Sequence, residues 1–371
     1  MASQAVNVNS VLNYIATQSG LPIDIVRNWF PNEPSKRSFL LNIQSAYNII
    51  NKVLEIGFGT TKSIPLSAQS QQSCSVNTLK SIYSYIFSGK TWNVQTSYGS
   101  LKYGSTCYVL NDQSVSALIV GGSGGGSGGL KDNFDGSGSL TIPAGASGAR
   151  SSIYVNGTLQ AQASGGTGGA GQTSSKGGRA GTAGFSGSSG ERKTVSLTFK
   201  AGDAIVCYNG YGGGGSGGGS IRVGKNGNLG DLTAPGPVGP NGSNGYGAVS
   251  GSYNVGCGGG GAGGDGFDDS NIQQIGKAGE GKGNSSYNSG SKPSYTDRNY
   301  VGTSYPGGSG GSGTGDGSAG SGGSGGVATT SSTTNAGGGG IGGNGSSGGG
   351  GGGASGLINL TPQDICYINL V

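Results

Sequence analysis

The 371-residue sequence contains no histidine, and only 10% of its residues are charged. Without histidine, the Ser–His and Cys–His pairs that activate a nucleophile cannot form. The five cysteines show no C-x-x-C spacing, which disfavours a zinc site. No apolar run approaches the ~20 residues that a membrane-spanning helix needs, so no membrane insertion is expected. Residues 1–13 lack the basic and then apolar pattern of a signal peptide, and we expect synthesis in a cytoplasm.

Charged residues offer little chemistry. The net charge is +5, but no run of Lys and Arg forms, so no nucleic-acid partner is expected. Asp265 with Asp268 or Asp269 could form the carboxylate pair of a glycosidase, or the acids could hold calcium. The acids lack the spacing of an EF-hand, however, and solvated loop acids are the simpler interpretation. We expect no enzyme activity, no metal and no cofactor.

Glycine, in contrast, is in excess: 87 residues, about a quarter of the chain, where ~7% is usual. Most lie between residues 121 and 356 in long runs. Flexible linkers have such a composition, but apolar segments typical of strands interrupt these runs. Collagen is excluded because glycine does not keep a threefold phase and only 11 prolines are present. A bundle of extended threefold helices remains, with main-chain groups paired between helices and Ser123, Ser127 and Ser216 projecting from one edge.

Residues 1–114 have the composition of an ordinary globular domain, and the spacing of apolar residues predicts a small helical bundle. Helices are expected near residues 11–19, 23–30, 35–56 and 75–88. Gly57 is predicted to end the third helix. Strands are expected at residues 92–94 and 106–110.

A β framework is predicted for residues 115–371. Strands are expected at residues 115–120, 140–143, 152–155, 159–163, 195–199, 204–208, 357–360 and 365–371. Two phrases are alike, VSLTFKAGDAIVCYNG at residues 195–210 and LINLTPQDICYINLV at residues 357–371. Each has a strand, a polar turn and a strand with a cysteine before a tyrosine, which predicts two β-hairpins. Tyr208, Tyr211 and Tyr367, which are next to strands, are expected to anchor the glycine bundle by packing across its faces.

Cysteine usage indicates a reducing compartment. The five residues are Cys74, Cys107, Cys207, Cys257 and Cys366. An odd number spread along the chain predicts free, mostly buried thiols. A Cys207–Cys366 disulfide is the alternative, because both residues lie in similar strand contexts.

Residues 225–306 differ from the other glycine-rich stretches, since tyrosines and charged residues dilute the glycine. Loops of Tyr, Ser, Gly and Asn resemble an antibody paratope in composition, and tyrosine supplies contact area at a low cost in entropy. The same aromatics could instead pack across the faces of the glycine bundle. The candidate binding residues are Tyr246, Tyr253, Phe267, Tyr287, Tyr295, Arg298, Tyr300 and Tyr305.

The alternation of glycine tracts with aromatic inserts resembles the tip adhesins of T-even-type bacteriophage long tail fibres. The phrases SLTIPAGASGA at residues 139–149 and LTFKAGDAIVCYNGYGGGGSGGG at residues 197–219 are also similar to glycine-rich domains of other phage tail proteins. The resemblance covers roughly residues 115–371. It implies a sandwich of polyglycine-II helices whose distal loops contact a bacterial receptor, here mainly at residues 246–305, together with Phe185 and Arg192.

The sequence and the resemblance together predict a multidomain virion protein of the tail fibre or tail tip. A small α-helical domain, residues 1–114, would attach it to a phage fibre or tail-tip protein. A β framework with a polyglycine-II helix sandwich, residues 115–371, would bind a bacterial outer-membrane protein or surface glycan. A structural virion protein with a glycine-rich spacer is the alternative. Ice binding is disfavoured by the tyrosine-rich inserts, and an enzyme is the least favoured class.

Overall fold

The computed structural model describes seven longer stretches and four two-residue strands. These are residues 5–33, 36–61, 68–99, 101–133, 139–175, 184–222 and 349–371, and the pairs 249–250, 253–254, 266–267 and 273–274. A few helices come first and mostly antiparallel sheets follow, which confirms the predicted order of the two structural classes.

Four α-helices occupy the N-terminal part. They are α1 (Val8–Ser19), α2 (Ile23–Asn28), α3 (Ile43–Phe58) and α4 (Val76–Ile86), with a short 3-10 helix at Ala68–Gln71. The Asn7 side chain caps α1 by accepting a hydrogen bond from the Ser10 amide, and Gly20 ends the helix at φ 69°. Leu12, Ile15 and Ile50 lie in the core that the helices share.

The third helix differs from its prediction at both ends. It begins at Ile43, eight residues later than expected, because the Asn42 side chain accepts a hydrogen bond from the Ser45 amide and caps it there. Gly57 lies inside the helix, and Gly59 ends it in the left-handed conformation at φ 66°. The apolar pattern before Asn42 therefore does not belong to the helix.

The strands follow in chain order. They are β1 (Trp92–Ser97), β2 (Cys107–Val109), β3 (Gln113–Val120), β4 (Leu130–Asn133), β5 (Ser139–Ile142), β6 (Ser151–Val155), β7 (Thr158–Ala163), β8 (Gln172–Ser175), β9 (Arg192–Phe199), β10 (Ala204–Tyr208), β11 (Gly219–Arg222), β12 (Val249–Ser250), β13 (Tyr253–Asn254), β14 (Gly266–Phe267), β15 (Gln273–Gln274), β16 (Leu357–Asn359) and β17 (Ile365–Leu370). Every strand predicted from the sequence has a counterpart. Seven further strands have no predicted counterpart: β4, β8, β11, and the pairs β12–β13 and β14–β15.

Two antiparallel sheets share one apolar core. The larger has the order β1-β17-β2-β10-β6-β7, and the smaller has the order β16-β3-β9. Side chains from both sheets meet in the core, among them Ile153 and Ile205 from the larger sheet and Ile119 and Phe199 from the smaller. This arrangement is a β-sandwich. The strands β1 and β2 precede residue 114 but pair with β17 and β10.

The two predicted hairpins are wrong, although their strands are present. Strand β9 pairs with β3 over its whole length, whereas β10 pairs with β2 and β6 in the other sheet. Likewise β16 pairs with β3, and β17 pairs with β1 and β2. Each turn therefore carries the chain across the sandwich instead of back along the same sheet. A two-residue alternation cannot distinguish these outcomes, because both place one face of each strand in the core.

A glycine at one of these turns brings the helical region against the sandwich. Gly202 has φ +89°, and a Cβ there would lie 2.4 Å from the carbonyl oxygen of Asp24 in α2. The Asn28 side chain donates to the Gly202 carbonyl at 2.7 Å and to Asn156 Oδ1 at 2.8 Å. Helix α2 is thereby fixed to two turns at one end of the sandwich.

The cysteines confirm the prediction of free thiols in the part of the chain that is described. Cys74, Cys107, Cys207 and Cys366 are all free and buried. The alternative Cys207–Cys366 disulfide is wrong. Strand β2 lies between the two strands that carry these residues, and two strand spacings come to about 10 Å, beyond the reach of a disulfide. Cys257 lies outside the described residues.

We predict that these four thiols are unreactive in the folded protein. Burial raises the pKa of Cys74 and of Cys366 to about 11 and that of Cys107 to about 12, and it raises the pKa of Cys207 as well. A thiol with a pKa of about 11 is about one-thousandth ionised at about pH 8, and the thiolate is the reactive form. In a Cys257→Ser variant, Ellman's reagent should detect no fast-reacting thiol before unfolding and all four in concentrated guanidinium chloride. Two missing thiols after unfolding, or fast reaction before it, would contradict this.

Candidate functional site

In the described part of the chain, six glycine-rich segments run between the sandwich and a second group of strands. They are residues 121–129, 143–150, 164–171, 184–191, 210–218 and 349–356. Three leave the sandwich after β3, β7 and β10, and three return to it before β6, β9 and β16. Each outgoing segment is thus followed by an excursion and a returning segment.

The first segment, residues 121–129, lies at the centre of the group. Its amides donate to three returning segments in strict rotation, so that every third residue faces the same neighbour. The bonds join Gly121 to Glu191, Gly124 to Ser188 and Ser127 to Phe185; Gly122 to Ala149 and Gly125 to Ala146; and Ser123 to Ala354 and Gly126 to Gly351. Their N···O distances are 2.7–3.0 Å. The amide groups of this segment therefore connect it to neighbours on three sides, before its carbonyl groups are considered.

The carbonyl groups of the same segment accept from the other two outgoing segments. Gly166 and Gly169 donate to Gly122 and Gly125, and Gly213 and Ser216 donate to Ser123 and Gly126. Each of these four bonds measures 2.8–3.0 Å. Residues 121–129 consequently contact all five other segments, and a three-residue repeat governs both donors and acceptors.

The two layers of the sandwich continue into this group. In the smaller sheet β3 lies between β16 and β9, and the segments that extend from them keep that order, with residues 121–129 between 349–356 and 184–191. In the larger sheet β6 lies between β10 and β7, and residues 143–150 likewise bond to residues 210–218 and 164–171. The hydrogen bond from Gly121 to Glu191 directly follows the last β3–β9 pair, Val120 with Arg192. The sheets thus set which segments are neighbours.

Glycine is required where two main chains meet. A Cβ added at Gly125 would lie 2.3 Å from the carbonyl oxygen of Gly214, and one at Gly124 would lie 1.9 Å from that of Thr167. These distances are far below van der Waals contact, and main chain cannot swing aside as a side chain can. Glycine therefore occupies these positions because any Cβ would overlap the main chain of a neighbouring segment.

Three serines are buried inside the group instead of lying on an outer edge as expected. The Ser123 hydroxyl accepts from the Ala354 amide at 2.6 Å, that of Ser127 from the Phe185 amide at 2.8 Å, and that of Ser216 from the Gly128 amide at 2.9 Å. Each hydroxyl replaces a main-chain acceptor for an amide of a neighbouring segment. The interior of the group therefore accommodates serine side chains whose hydroxyls accept from a neighbouring main chain.

The far end of the segments carries the excursions. Strands β4 and β11 pair in parallel there, and β5 pairs with β8 in an antiparallel manner. The hydroxyls of Thr141 and Thr173 lie 3.2 Å apart on an exposed surface of the second pair. Residues 223–348 connect the end of β11 to the last segment, so the longest insert also leaves from this end. We call this the distal end.

The predicted receptor-binding residues belong to that longest insert. Tyr253 pairs with Ser250 in β12–β13, and Phe267 pairs with Gln273 in β14–β15. The other six lie outside the described residues: Tyr246, Tyr287, Tyr295, Arg298, Tyr300 and Tyr305. Two further candidates are on the surface, where Phe185 is 52% exposed and Arg192 opens strand β9.

The three tyrosines next to strands have different surroundings. The Tyr208 ring meets Tyr154 edge-on at 5.9 Å, and Tyr211 is half-buried. Tyr367 is buried, and its hydroxyl accepts a hydrogen bond from the Lys102 amide at 2.6 Å. Burial raises the pKa of Tyr367 to about 12, so its hydroxyl stays protonated at neutral pH.

A cavity that the sequence analysis does not predict lies where the helices meet the sandwich. This joint cleft has a volume of about 440 Å³. Its aromatic walls are Trp29, Trp92, Tyr108 and Tyr367, and its polar rim is Gln95, Lys102, Ser105, Thr106 and Asn369. The signal available beforehand was that the chain has only two tryptophans; both line this cleft.

An apolar groove lies on the helical region itself. It measures about 740 Å³, and its apolar lining includes Phe30, Leu41 and Ile49. At its side Phe39 is 65% exposed and the adjacent Leu40 is 67% exposed. Large exposed apolar side chains that adjoin a groove are characteristic of interaction surfaces.

Two kinds of site are absent from the part of the chain that the structure describes. No group of three or more Cys, Asp or Glu side chains there could hold a metal ion. None of the helices just described has the length and apolar character needed to cross a membrane.

Comparison with known proteins identifies no relative. No protein-family model, no curated protein and no solved structure matches this chain. Its function is therefore inferred from its own residues and geometry.

Proposed function

We propose that the six glycine-rich segments form a polyglycine-II helix sandwich. The three-residue repeat of the hydrogen bonds supports this, because a polyglycine-II helix has three residues per turn and bonds only to its neighbours. The close main-chain approach at Gly124 and Gly125 supports it as well. A flexible linker would have neither feature.

The protein acts, in this proposal, as a phage receptor-binding protein at the tip of a tail fibre or tail. The observation that carries the proposal is that residues 121–129 bond to all five other segments and thereby fix one distal end. All three excursions depart from that end, including the insert with the candidate tyrosines. A rigid support with inserts at one end suits reversible recognition of a bacterial outer-membrane protein or surface glycan, and this role needs no catalytic chemistry.

The helical region provides attachment to the virion. Its exposed Phe39 and Leu40, beside the apolar groove, offer a surface for a fibre or tail-tip protein. Because β1 and β2 belong to the sandwich, this attachment is rigidly coupled to the rest of the chain. Removal of residues 1–114 would also delete both strands, so attachment is better tested by surface substitutions.

Gly125→Ala should loosen the bundle. The new methyl group would overlap the Gly214 carbonyl, and overpacking of this kind costs about 3 kcal/mol. Amide exchange across residues 121–129 should accelerate about a hundredfold, the factor that corresponds to this loss. Ser189→Thr, which adds one carbon at an exposed position of a returning segment, is the control and should exchange at the original rate. Fast exchange in the unsubstituted protein would eliminate the polyglycine-II proposal.

Replacement of Tyr295, Tyr300 and Tyr305 together by alanine should weaken receptor binding. Purified protein should block adsorption of the phage to a susceptible strain, and the triple variant should need roughly tenfold more protein to do so, since tyrosines often dominate binding energy. The control is Tyr98→Ala, which removes a tyrosine that is 85% exposed beside β1, away from the distal strands.

Two outcomes of this adsorption experiment would count against the proposal. Equal blocking by the triple variant would remove these tyrosines from the site. Failure of the unsubstituted protein to block adsorption to any host strain would favour the alternative, a structural virion protein in which the glycine-rich part is a spacer.

Phe39→Asp with Leu40→Asp should reduce incorporation into particles. Both side chains are largely exposed, so the fold should tolerate the change, whereas two charges in an apolar contact should lower incorporation roughly tenfold or more. The measurement is the amount of protein in purified particles after complementation of a phage that lacks it. Leu159→Asp, at a 39% exposed position on β7, is the control. Normal incorporation of the double variant would place attachment elsewhere.

A further inference from the structure

We propose that the joint cleft is a binding site for an acidic saccharide, such as an oligosaccharide of hexuronic acids. The cleft lies between the helices and the sandwich, separate from the distal end, and the inference does not depend on the proposed function. Its volume of about 440 Å³ falls within the range of about 300–1,000 Å³ that is usual for small-molecule sites.

The aromatic walls are held in place before any ligand arrives. Trp29 stacks on Trp92 with a centroid distance of 6.0 Å and an interplanar angle of 21°. Trp29 also meets Tyr108 edge-on at 6.1 Å and donates its indole N–H to the Tyr108 hydroxyl at 3.3 Å. Trp92 contacts Phe58 and Phe87 of the helical core on its other sides. Rings fixed in this way lose little entropy on binding.

These rings suit a sugar. Trp29, Trp92 and Tyr108 are half-buried, so each retains apolar surface toward solvent. Such surfaces can cover the C–H groups of a pyranose, while polar groups around them bind its hydroxyls. A purely apolar ligand would form no hydrogen bonds with the polar rim.

The rim supplies both donors and acceptors. Gln95 and Asn369 carry amides, and Ser105 and Thr106 carry hydroxyls, all on exposed residues. Amides and hydroxyls can each donate and accept, as the hydroxyls of a saccharide require. Burial raises the pKa of Tyr108, so its hydroxyl also remains protonated at neutral pH.

The charge of the cleft selects for an acid. Among the described residues that line it, Lys102 is the one that carries a charge. Its ammonium group lies 4.9 Å from the centre of the Tyr367 ring and 3.5 Å from Gln95 Oε1, and it forms no ion pair within the described parts of the chain. A carboxylate on the ligand would supply that ion pair and form a charge-assisted hydrogen bond.

Intrinsic fluorescence provides a direct assay, because both tryptophans line the cleft. Titration of the full chain with trigalacturonic acid should give a saturable change in fluorescence, whereas maltotriose, a neutral trisaccharide of equal length, should bind at least about tenfold more weakly. Raising the salt concentration should weaken the acidic ligand only.

Lys102→Met should lower the affinity for trigalacturonic acid about tenfold and leave that for maltotriose unchanged. Lys80→Met, on an exposed position of α4 outside the cleft, is the matched control and should bind as the unsubstituted protein does. Melting curves should show that both variants are folded, and saturation-transfer NMR should report the same affinities without depending on tryptophan.

The experiment has two outcomes that overturn the inference. Absence of a saturable response to either trisaccharide would show that the cleft is only a gap between two parts of the fold. Equal binding of both ligands, or undiminished binding by Lys102→Met, would eliminate the selection for an acid through Lys102. Because phage adsorption is not measured, either result leaves the proposed function of the distal end to its own test.

Discussion

Main-chain hydrogen bonding between neighbouring glycine-rich segments is the interaction on which this structure depends. Ordering a residue costs about 1–2 kcal/mol, with glycine at the high end, and a hydrogen bond returns about 0.5–1.5 kcal/mol net. These magnitudes are comparable, so a single glycine segment cannot stay ordered by itself. Residues 121–129 escape this limit because they donate and accept on several sides at once.

The sandwich makes that bonding possible. Its strands are stabilised by burial of ordinary apolar side chains such as Phe199 and Ile119, which the glycine segments lack. The glycine-rich segments keep the order of the strands from which they extend. In the smaller sheet β3 lies between β16 and β9, and residues 121–129 likewise lie between 349–356 and 184–191. The strand pairing in the sandwich therefore determines which glycine-rich segments are neighbours and in what register. The segments then need only form their main-chain hydrogen bonds.

Local patterns in the sequence predict the four helices and ten of the seventeen described strands, but not which strands pair. Apolar spacing predicts the helix positions, and α3 begins later than that spacing indicates because the Asn42 side chain caps it. Strands β9 and β10 were located correctly, yet their pairing depends on residues far away in the chain, such as those of β3 and β6. Alternation specifies a buried face and says nothing of which strand lies alongside.

The candidate sites show the same limit. Composition drew attention to the tyrosine-rich insert, but the distal end exists only because three excursions leave the same end of six packed segments. The joint cleft depends even more on tertiary structure, since Trp29 and Trp92 are 63 residues apart and meet only when α2 docks on the sandwich. No local spacing connects them.

Rigid coupling between the two ends follows from these contacts. Asn28 bonds to both the Asn156 and Gly202 turns, and β1 is an integral strand of the larger sheet. A helical region attached through a linker alone could rotate independently of the sandwich, whereas this one cannot move without breaking hydrogen bonds and the Trp29–Trp92 stack. The same strands β6 and β10 that carry the helices' contacts lead directly into the glycine segments. Hydrogen-bonded main chain therefore connects the helical region continuously with the distal end, and it fixes the position of one relative to the other.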